Sequence, residues 1–418
     1  MKHHSIHIVL LAFVAATLSQ AATIHVPGDQ PTIQAGINAA LTRDTVLVDP
    51  GTYLENINFN GKAITVSSAS GPDVTIIDGG NIAPVATFSQ GETSRAVLEG
   101  FTLQHGTSTF QTSYAGGGVY ISFSSPTISG NIIQDNTACS EGGGIAVEFG
   151  SPRIQGNTIM NNTQAGCSGG GGAGISVGGV GTTQIIGNLI SGNSWLSGFG
   201  GGISLNASGA VTIKGNIITG NSASGVIPAS WGGGISMLND SPALVVQNLI
   251  YNNSADQGAG IYFLVPSGSR GPTLVNNTIA DNTITQQGSA VYASGYDGQV
   301  QFFNNLMIGQ NGQSALYCDG SYSSQPPAVA NSDAFSPHGL GFDGTCAQLG
   351  TQNGNISADP KFKNNTSNFR LRPTSPAIDT GTNSAPNLPS KDLSGQPRIV
   401  DGDGNGTATI DMGAYEFQ

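Results

Sequence analysis

One motif recurs along this chain at a spacing that leaves few folds open. A glycine pair opens a β-branched strand, and a second strand then ends in an asparagine turn. The turn asparagines are Asn131, Asn157, Asn188, Asn216, Asn248, Asn277 and Asn305, with steps of 26, 31, 28, 32, 29 and 28 residues. A period of about 28 residues that tolerates small insertions marks a solenoid. Strand starts keep the same pace, at Gly118-Val119, Gly144-Ile145, Gly174-Ile175, Gly202-Ile203, Gly234-Ile235, Gly260-Ile261 and Ala290-Val291. A second strand runs into the turn, as in Thr212-Ile213-Lys214-Gly215-Asn216, and a third leaves it at Ile217-Ile218. A second asparagine follows five residues after the first, at Asn136, Asn162, Asn193, Asn221, Asn253 and Asn282. Each coil is expected to hold three short strands and two sharp corners.

Stacked coils of this kind form parallel sheets, with isoleucine and valine pointing into a narrow continuous core. Glycine supplies the positive φ that a corner needs. Asparagine can hydrogen-bond backbone at a corner and stack on its copy in the next coil. A residue repeated in every coil is therefore read as scaffold before it is read as chemistry. The fold class expected is an all-β parallel β-helix with a capping helix at its N-terminal end.

Composition agrees. Glycine accounts for 62 of 418 residues and charged residues for 9%, a balance that disordered chains share. The regular isoleucine and valine spacing argues against disorder, because disordered chains are poor in β-branched residues. The net charge of −12 and pI near 4.6 oppose nucleic acid or anionic lipid as a partner. They also oppose a groove for polyanionic sugars unless calcium bridges the two.

Residues 1–21 read as a signal peptide. Lys2 gives a positive start, Ile8 to Val14 an apolar stretch, and Ser19-Gln20-Ala21 a cleavage site. The stretch is shorter than the ~20 residues a membrane span needs, so the expected mature chain is exported, without a transmembrane segment, and monomeric. Pro31 to Leu41 reads as one amphipathic helix, covering the open end of the first coil. Cys139 and Cys167 lie 28 residues apart, as do Cys318 and Cys346. One coil of separation places two thiols about 4.8 Å apart, so an exported chain should form both disulfides.

Two segments resemble known proteins. Ile24-His25-Val26-Pro27 with Gln30-Pro31-Thr32-Ile33-Gln34, then Val48-Asp49-Pro50-Gly51-Thr52-Tyr53-Leu54-Glu55-Asn56, resembles the opening of secreted right-handed parallel β-helix proteins of the pectin-lyase-like superfold. Glu99-Gly100-Phe101-Thr102-Leu103 looks like that group's generic coil. The likeness covers about residues 23–345 and implies fold rather than activity, since this fold hosts lyases, hydrolases, esterases, epimerases and adhesins. Residues 346–418 look like the tail of exported bacterial β-helix proteins, including Ser375-Pro376-Ala377-Ile378-Asp379 and Asp411-Met412-Gly413-Ala414-Tyr415-Glu416. They are expected to close the last coil.

Chemistry is harder to place. Asp401-Gly402-Asp403-Gly404-Asn405-Gly406 matches the first half of a calcium loop, with oxygens at alternate positions and glycine sixth. The twelfth position is Met412, so Asp411 is the carboxylate that would complete a calcium site; an ordinary Asp/Gly turn is the other reading. Glu141 and Glu148 flank a glycine-rich strand start and are the acids the repeat explains least; they are the candidates for acid–base work. The residue patterns of polygalacturonases, pectin methylesterases and alginate epimerases are missing, and Arg153, Lys214 and Arg270 share no coil position. Trp195, Trp231 and Tyr251 are the aromatic candidates for stacking on sugar rings, with loop packing as the alternative. The expectation is a non-catalytic extracellular or cell-surface protein that binds glycan. The alternative is a polysaccharide lyase or glycoside hydrolase with an atypical site.

Overall fold

In a computed structural model, residues 20–418 are described except 110–115, 165–169, 197, 226–228, 296–298 and 324. The expected signal peptide therefore lies outside the described residues but for its last two positions. The rest winds as a parallel β-helix. Sheet A has 12 strands, from Thr23–Val26 to Ala328–Ala330; sheet B has 11, from Gly51–Leu54 to Asp333–Phe335; sheet C has 11, from Ile57–Asn58 to Phe342–Gly344. From residue 119 the chain visits them in the order C, A, B. Within each sheet every strand pairs in parallel with its copy one coil away, as Ile145–Glu148 does with Ile175–Gly178.

The structure adds an element the repeat did not disclose. Six coils carry a fourth short strand between sheets B and C, forming sheet D from Thr137–Ala138 to Thr283–Gln287. Residues 96–103, which read as one strand, divide into Val97–Glu99 and Thr102–Gln104 because Gly100 turns the chain at φ 79°. The one helix, α1 (Ile33–Ala39), is shorter than expected. Thr32 caps it, and the Glu55 carboxylate accepts from the Ile33 and Gln34 amides at 2.9 Å. Lys62 Nζ donates to the carbonyls of Ile37, Asn38 and Ala40. Opposite charges thus meet the two ends of the helix dipole, and the Gly-Thr-Tyr-Leu-Glu segment is explained by capping.

Inward side chains form one unbroken core: Ile128, Ile154, Ile185 and Ile213 stack from sheet A against Ile133, Ile159, Ile190 and Ile218 from sheet B. Polar ladders run at two corners. Asn131, Asn157, Asn188, Asn216, Asn248, Asn277 and Asn305 are buried, and each side-chain amide of the first six donates to the next one's oxygen at 2.9–3.2 Å. The same oxygen accepts the preceding asparagine's backbone N–H. Ser332 and Asn355 continue this ladder past Asn305. The second ladder runs from Asn136 to Asn282 with the same pattern. Each first-ladder asparagine follows a residue with positive φ, such as Gly130 at 62° or Asn304 at 55°. Asp135 and Asp281 hold the matching position at the second corner, both at φ 53°.

Cys318–Cys346 forms as expected, with Cα atoms 5.5 Å apart. Cys139 is disulfide-bonded too; Cys167, its expected partner, lies outside the described residues. The last coil ends in a 3-10 turn, Ala347–Thr351, with Leu349 in the core. Residues after it do more than close that coil. They run back along the outside of sheet B, where Phe362, Phe369, Leu371, Ala377 and Met412 pack on Leu249, Ala280 and Leu306. Asn276 donates to the Asp411 and Gly413 carbonyls, and Asn304 to that of Thr382.

Asp333 sits beneath this segment, fully buried, one oxygen accepting from the Ala358 amide at 3.1 Å and the other without a partner among the described residues. Burial pushes its carboxyl up to about 8.

Two outcomes are expected. Asn193→Ala deprives the Asn162 side-chain and backbone N–H groups of an acceptor and Ile159 of a donor. Unsatisfied buried groups cost about 1–3 kcal/mol each, so the denaturation midpoint should fall far below that of an exposed control, Arg153→Ala. Asp333 binds a proton in the folded chain over a range where the unfolded chain has released it. Its stabilising contribution is therefore complete below the ordinary carboxylate range and lost as pH rises toward 8. Thermal melts across that window should show a falling midpoint, and Asp333→Asn should flatten the fall.

Candidate functional site

Sheets A, B and C offer three outer faces, and the chain treats them differently. The C-terminal segment covers much of B. Sheet A carries Arg153 and Lys214 on its strands. Sheet C carries a pair of glutamates at one end and a stack of rings with Asp319 at the other, and this follows from two rows of residues.

The first row is the residue just before the glycine-rich strand start. In successive coils it is Glu141, Gly171, Phe199, Trp231, Gln257 and Gln287. Parallel bridges join Phe199 to Trp231 and Trp231 to Gln257, so the row is physical. The glycines after it are required. A Cβ on Gly142, Gly200 or Gly232 would lie 2.4–2.5 Å from the carbonyl oxygen of the strand's first residue, in each case at positive φ. That tight return folds the row over the sheet. The second row is the outward position of the strands, Tyr120, Ala146, Ser176, Ser204, Ser236, Tyr262, Tyr292 and Tyr317 in register.

At the C-terminal end the two rows merge into a stack of rings. Phe199 and Trp231 have centroids 4.7 Å apart, Trp231 and Tyr262 5.7 Å, Tyr262 and Tyr292 5.3 Å, and Tyr292 and Tyr317 5.1 Å. The Trp231 indole N–H donates to Gln257 at 2.8 Å, and Gln257 donates to Gln286. Beside the stack opens a cleft of about 480 Å³, floored by Leu238 and Leu264 and closed by the exposed Tyr322 and by Asp319. Ser321 and Ser294 donate to the Asp319 carboxylate. Burial first, then the Asp319 charge, raises the hydroxyls of Tyr262, Tyr292 and Tyr317 above the usual tyrosine range.

At the other end stand the two glutamates. Glu148 ends its strand and accepts from the Tyr120 hydroxyl at 2.8 Å. In register beside it is Gly178. Glu141 leans one coil onward, accepts from the Ser176 hydroxyl at 3.3 Å, and places an oxygen 3.9 Å from where a Gly178 Cβ would be. Glu148 thus bonds back to the preceding coil and Glu141 forward to the next, which has glycine at 171, 178 and 179, and the two stay near enough for the Glu148 charge to act on Glu141. Burial raises the Glu141 carboxyl above its ordinary value; Ser176 offsets part of this and the Glu148 charge adds to it. Phe123 and Phe149, both exposed, stack at 5.1 Å next to this pair, with Phe149 lying against Gly179.

The other candidates separate. Trp195 is fully buried in the strand Ser194–Trp195 of sheet D and offers solvent no ring. Tyr251 belongs to sheet B and packs under Phe369 at 5.1 Å, covered by the C-terminal segment. Of the three aromatic candidates, only Trp231 lines the cleft. A second hollow of about 470 Å³ lies between sheet B and that segment, far from both glutamates.

The expected calcium loop is altered by one residue. Asp401 and Asp403 converge with Asp379, their carboxylate oxygens within 4.8 Å of one another. Asp411 is buried instead: its oxygens accept from the Asp379 and Phe417 amides, and burial raises its carboxyl to about 6. The Asn405 side-chain oxygen accepts from the Thr407 amide. An oxygen-only set of three carboxylates has the chemistry of a hard-cation site, although backbone amides of Asp403, Asn405 and Gly406 already bond to it. Asp379 lies 22 residues before Asp401, a distance at which sequence carries no signal of contact.

Comparison with known proteins places the chain by fold. Residues 52–233 and 168–332 match the family model described as a right handed beta helix region. No curated protein matches the sequence. Among solved structures, pectate lyase Pel9A is similar at 16% identity with a TM-score of 0.54, over 96% of this chain and 97% of that one. A structure of XylC with xylose aligns at 12% identity with a TM-score of 0.49, over 79% of this chain and 84% of that one. A winding backbone of parallel coils, two asparagine ladders and this family match over most of the sequence agree, and the chain belongs to the right-handed β-helix family.

Proposed function

We propose that the outer face of sheet C binds polysaccharide and that the protein works outside the cell. The cleft carries this reading. It combines apolar rings, hydroxyls and amide groups in the mixture that sugar faces and edges require, and it is shaped by side chains from five coils. The signal-peptide pattern and the disulfide support export. Among the described residues no helix is long and apolar enough to cross a membrane. A monomer suffices for the cleft, since one chain supplies every wall.

A second reading rests on a separate observation, that Glu141 and Glu148 lie in one coil of sheet C and the Glu148 charge acts on Glu141. Two carboxylates in unlike environments are the requirement for glycoside hydrolysis, one protonated to serve the leaving oxygen and one ionised to serve water or the sugar carbon. Glu141, raised by burial, fits the acid; Glu148, held by Tyr120, fits the base or nucleophile.

Trp231→Ala should weaken retention in polysaccharide affinity gels at least tenfold, while Trp195→Phe should leave it unchanged when the fold is intact by circular dichroism. Retention unaltered in Trp231→Ala would remove the cleft from consideration. For the glutamates, removing the Glu148 charge takes away a cause that raises Glu141. Carbon-13 NMR of labelled carboxyls should therefore show Glu141 titrating at lower pH in Glu148→Gln. If hydrolysis occurs, release of reducing ends should fall by more than a hundredfold in either Glu141→Gln or Glu148→Gln; product release untouched by both changes excludes this pair.

A further inference from the structure

Charge on the molecule is sorted by face, and the sorting bears on what the cleft can hold. The described lysines and arginines lie away from sheet C. Arg43 and Arg95 flank sheet A near Thr65, Arg153 and Lys214 are on its strands, and Lys62 is committed to the end of α1. The remaining cations, Arg270 apart, belong to the C-terminal segment. Arg270 comes nearest to the cleft, because its partner Asp240 adjoins Asn239 in the cleft wall. Asp240 accepts from the Arg270 backbone N–H at 2.9 Å and from its guanidinium at 3.1 and 3.3 Å, which neutralises it. Sheet C itself carries Glu148, Asp319 and Asp343, with Glu141 folded over it.

We propose that the occupant of the sheet C cleft is an uncharged glycan chain lying along the solenoid axis, and that the acids of this face exclude polyuronates. The proposal rests on the glycan reading of the cleft and adds the class of glycan. The ring stack fixes the direction: Phe199, Trp231, Tyr262, Tyr292 and Tyr317 follow one another coil by coil. Four coil steps of about 4.8 Å make a track of roughly 19 Å. The rings stack on one another, so edges and hydroxyls form the wall, and the open face of the series is at Phe199, where the next row residue is Gly171.

The acids select by charge. An ionised carboxylate only accepts hydrogen bonds, and sugar hydroxyls donate to it strongly. Asp319 keeps acceptor capacity beyond the bonds from Ser321 and Ser294. The tyrosine hydroxyls retain their protons and can serve either role. A uronate chain would set a negative charge on every sugar along a cleft that holds Asp319, partly desolvated and, among the described residues, with no free cation lining it. Like charges placed there repel, and desolvation deepens the cost.

The test is affinity electrophoresis and calorimetry of the mature chain with neutral polysaccharides (xylan, mixed-linkage glucan, mannan, galactan) and with polygalacturonate and alginate, each with calcium and with chelator. At least one neutral polymer should bind ten times more tightly than either polyuronate, and Trp231→Ala should abolish the binding. Asp319→Asn, checked for an unchanged thermal melt, should weaken the neutral polymer several-fold and narrow the gap to the polyuronates. A polyuronate that binds as tightly as any neutral polymer and is lost in Trp231→Ala overturns this inference while leaving the glycan cleft standing. Unchanged discrimination in Asp319→Asn overturns the role given to the acids. Failure of every polymer to bind removes the glycan reading itself, and this inference with it.

Discussion

The structure depends on a buried amide that satisfies itself from coil to coil. A corner of a stacked spiral turns backbone N–H and C=O groups away from their sheet, and burying them unpaired is costly. An asparagine at the corner answers this with one acceptor and two donors. In Asn157 the oxygen takes the Asn131 backbone and side-chain N–H, and the side-chain nitrogen gives to the Ile128 carbonyl and to Asn188. Because every copy needs the next copy at one coil's distance, the ladder fixes register. Once register is fixed, isoleucine must fall on isoleucine, and the outer rows of sheet C must align. Phe199 meets Trp231 and Glu148 meets Gly178 as consequences of amides on the other side of the core.

That chain of dependence explains which parts of the molecule were legible in one dimension. The ladders could be read because they repeat, and so could the two-stranded corners and the Cys318–Cys346 bridge, which need only the period. Trp195 was misplaced because its short strand in sheet D is too brief to show alternation. Tyr251 occupies an outward strand position, as expected of a ligand contact. What covers it comes from more than a hundred residues later. The row of Glu141, Phe199 and Trp231 carried a signal that alignment on the glycine-rich strand start would have exposed, since each stands one residue before it. Asp379 carried none, and it replaces Asp411 among the converging carboxylates because Asp411 is buried with its oxygens taken by the backbone amides of Asp379 and Phe417.

The candidate site is built from departures from the repeat. Four successive coils, at Ala146, Ser176, Ser204 and Ser236, place a small side chain at the outward position of sheet C, which is enough for packing. Three adjacent coils place tyrosine there, two place an aromatic ring in the preceding row, and one coil has no side chain at 171, 178 or 179. A solenoid offers a periodic surface for nothing in particular until such exceptions break it. Here they lie along one face and in one line, with the glutamate pair at one end and the rings beside Asp319 at the other, while the bulk of the positive charge stays on the other side of the core.

The C-terminal segment changes how the array should come apart. In a plain solenoid each coil touches only its neighbours, so coils can fray one at a time from an end. This segment runs back over sheet B and ties three successive coils together, reaching Thr278 through Ala414, Asn304 through Thr382 and Asn331 through Thr380. It acts as a brace bolted across several rungs. The coils beneath it share one fate: they open together or stay closed together, and the unbraced N-terminal coils are left as the ones that can loosen alone.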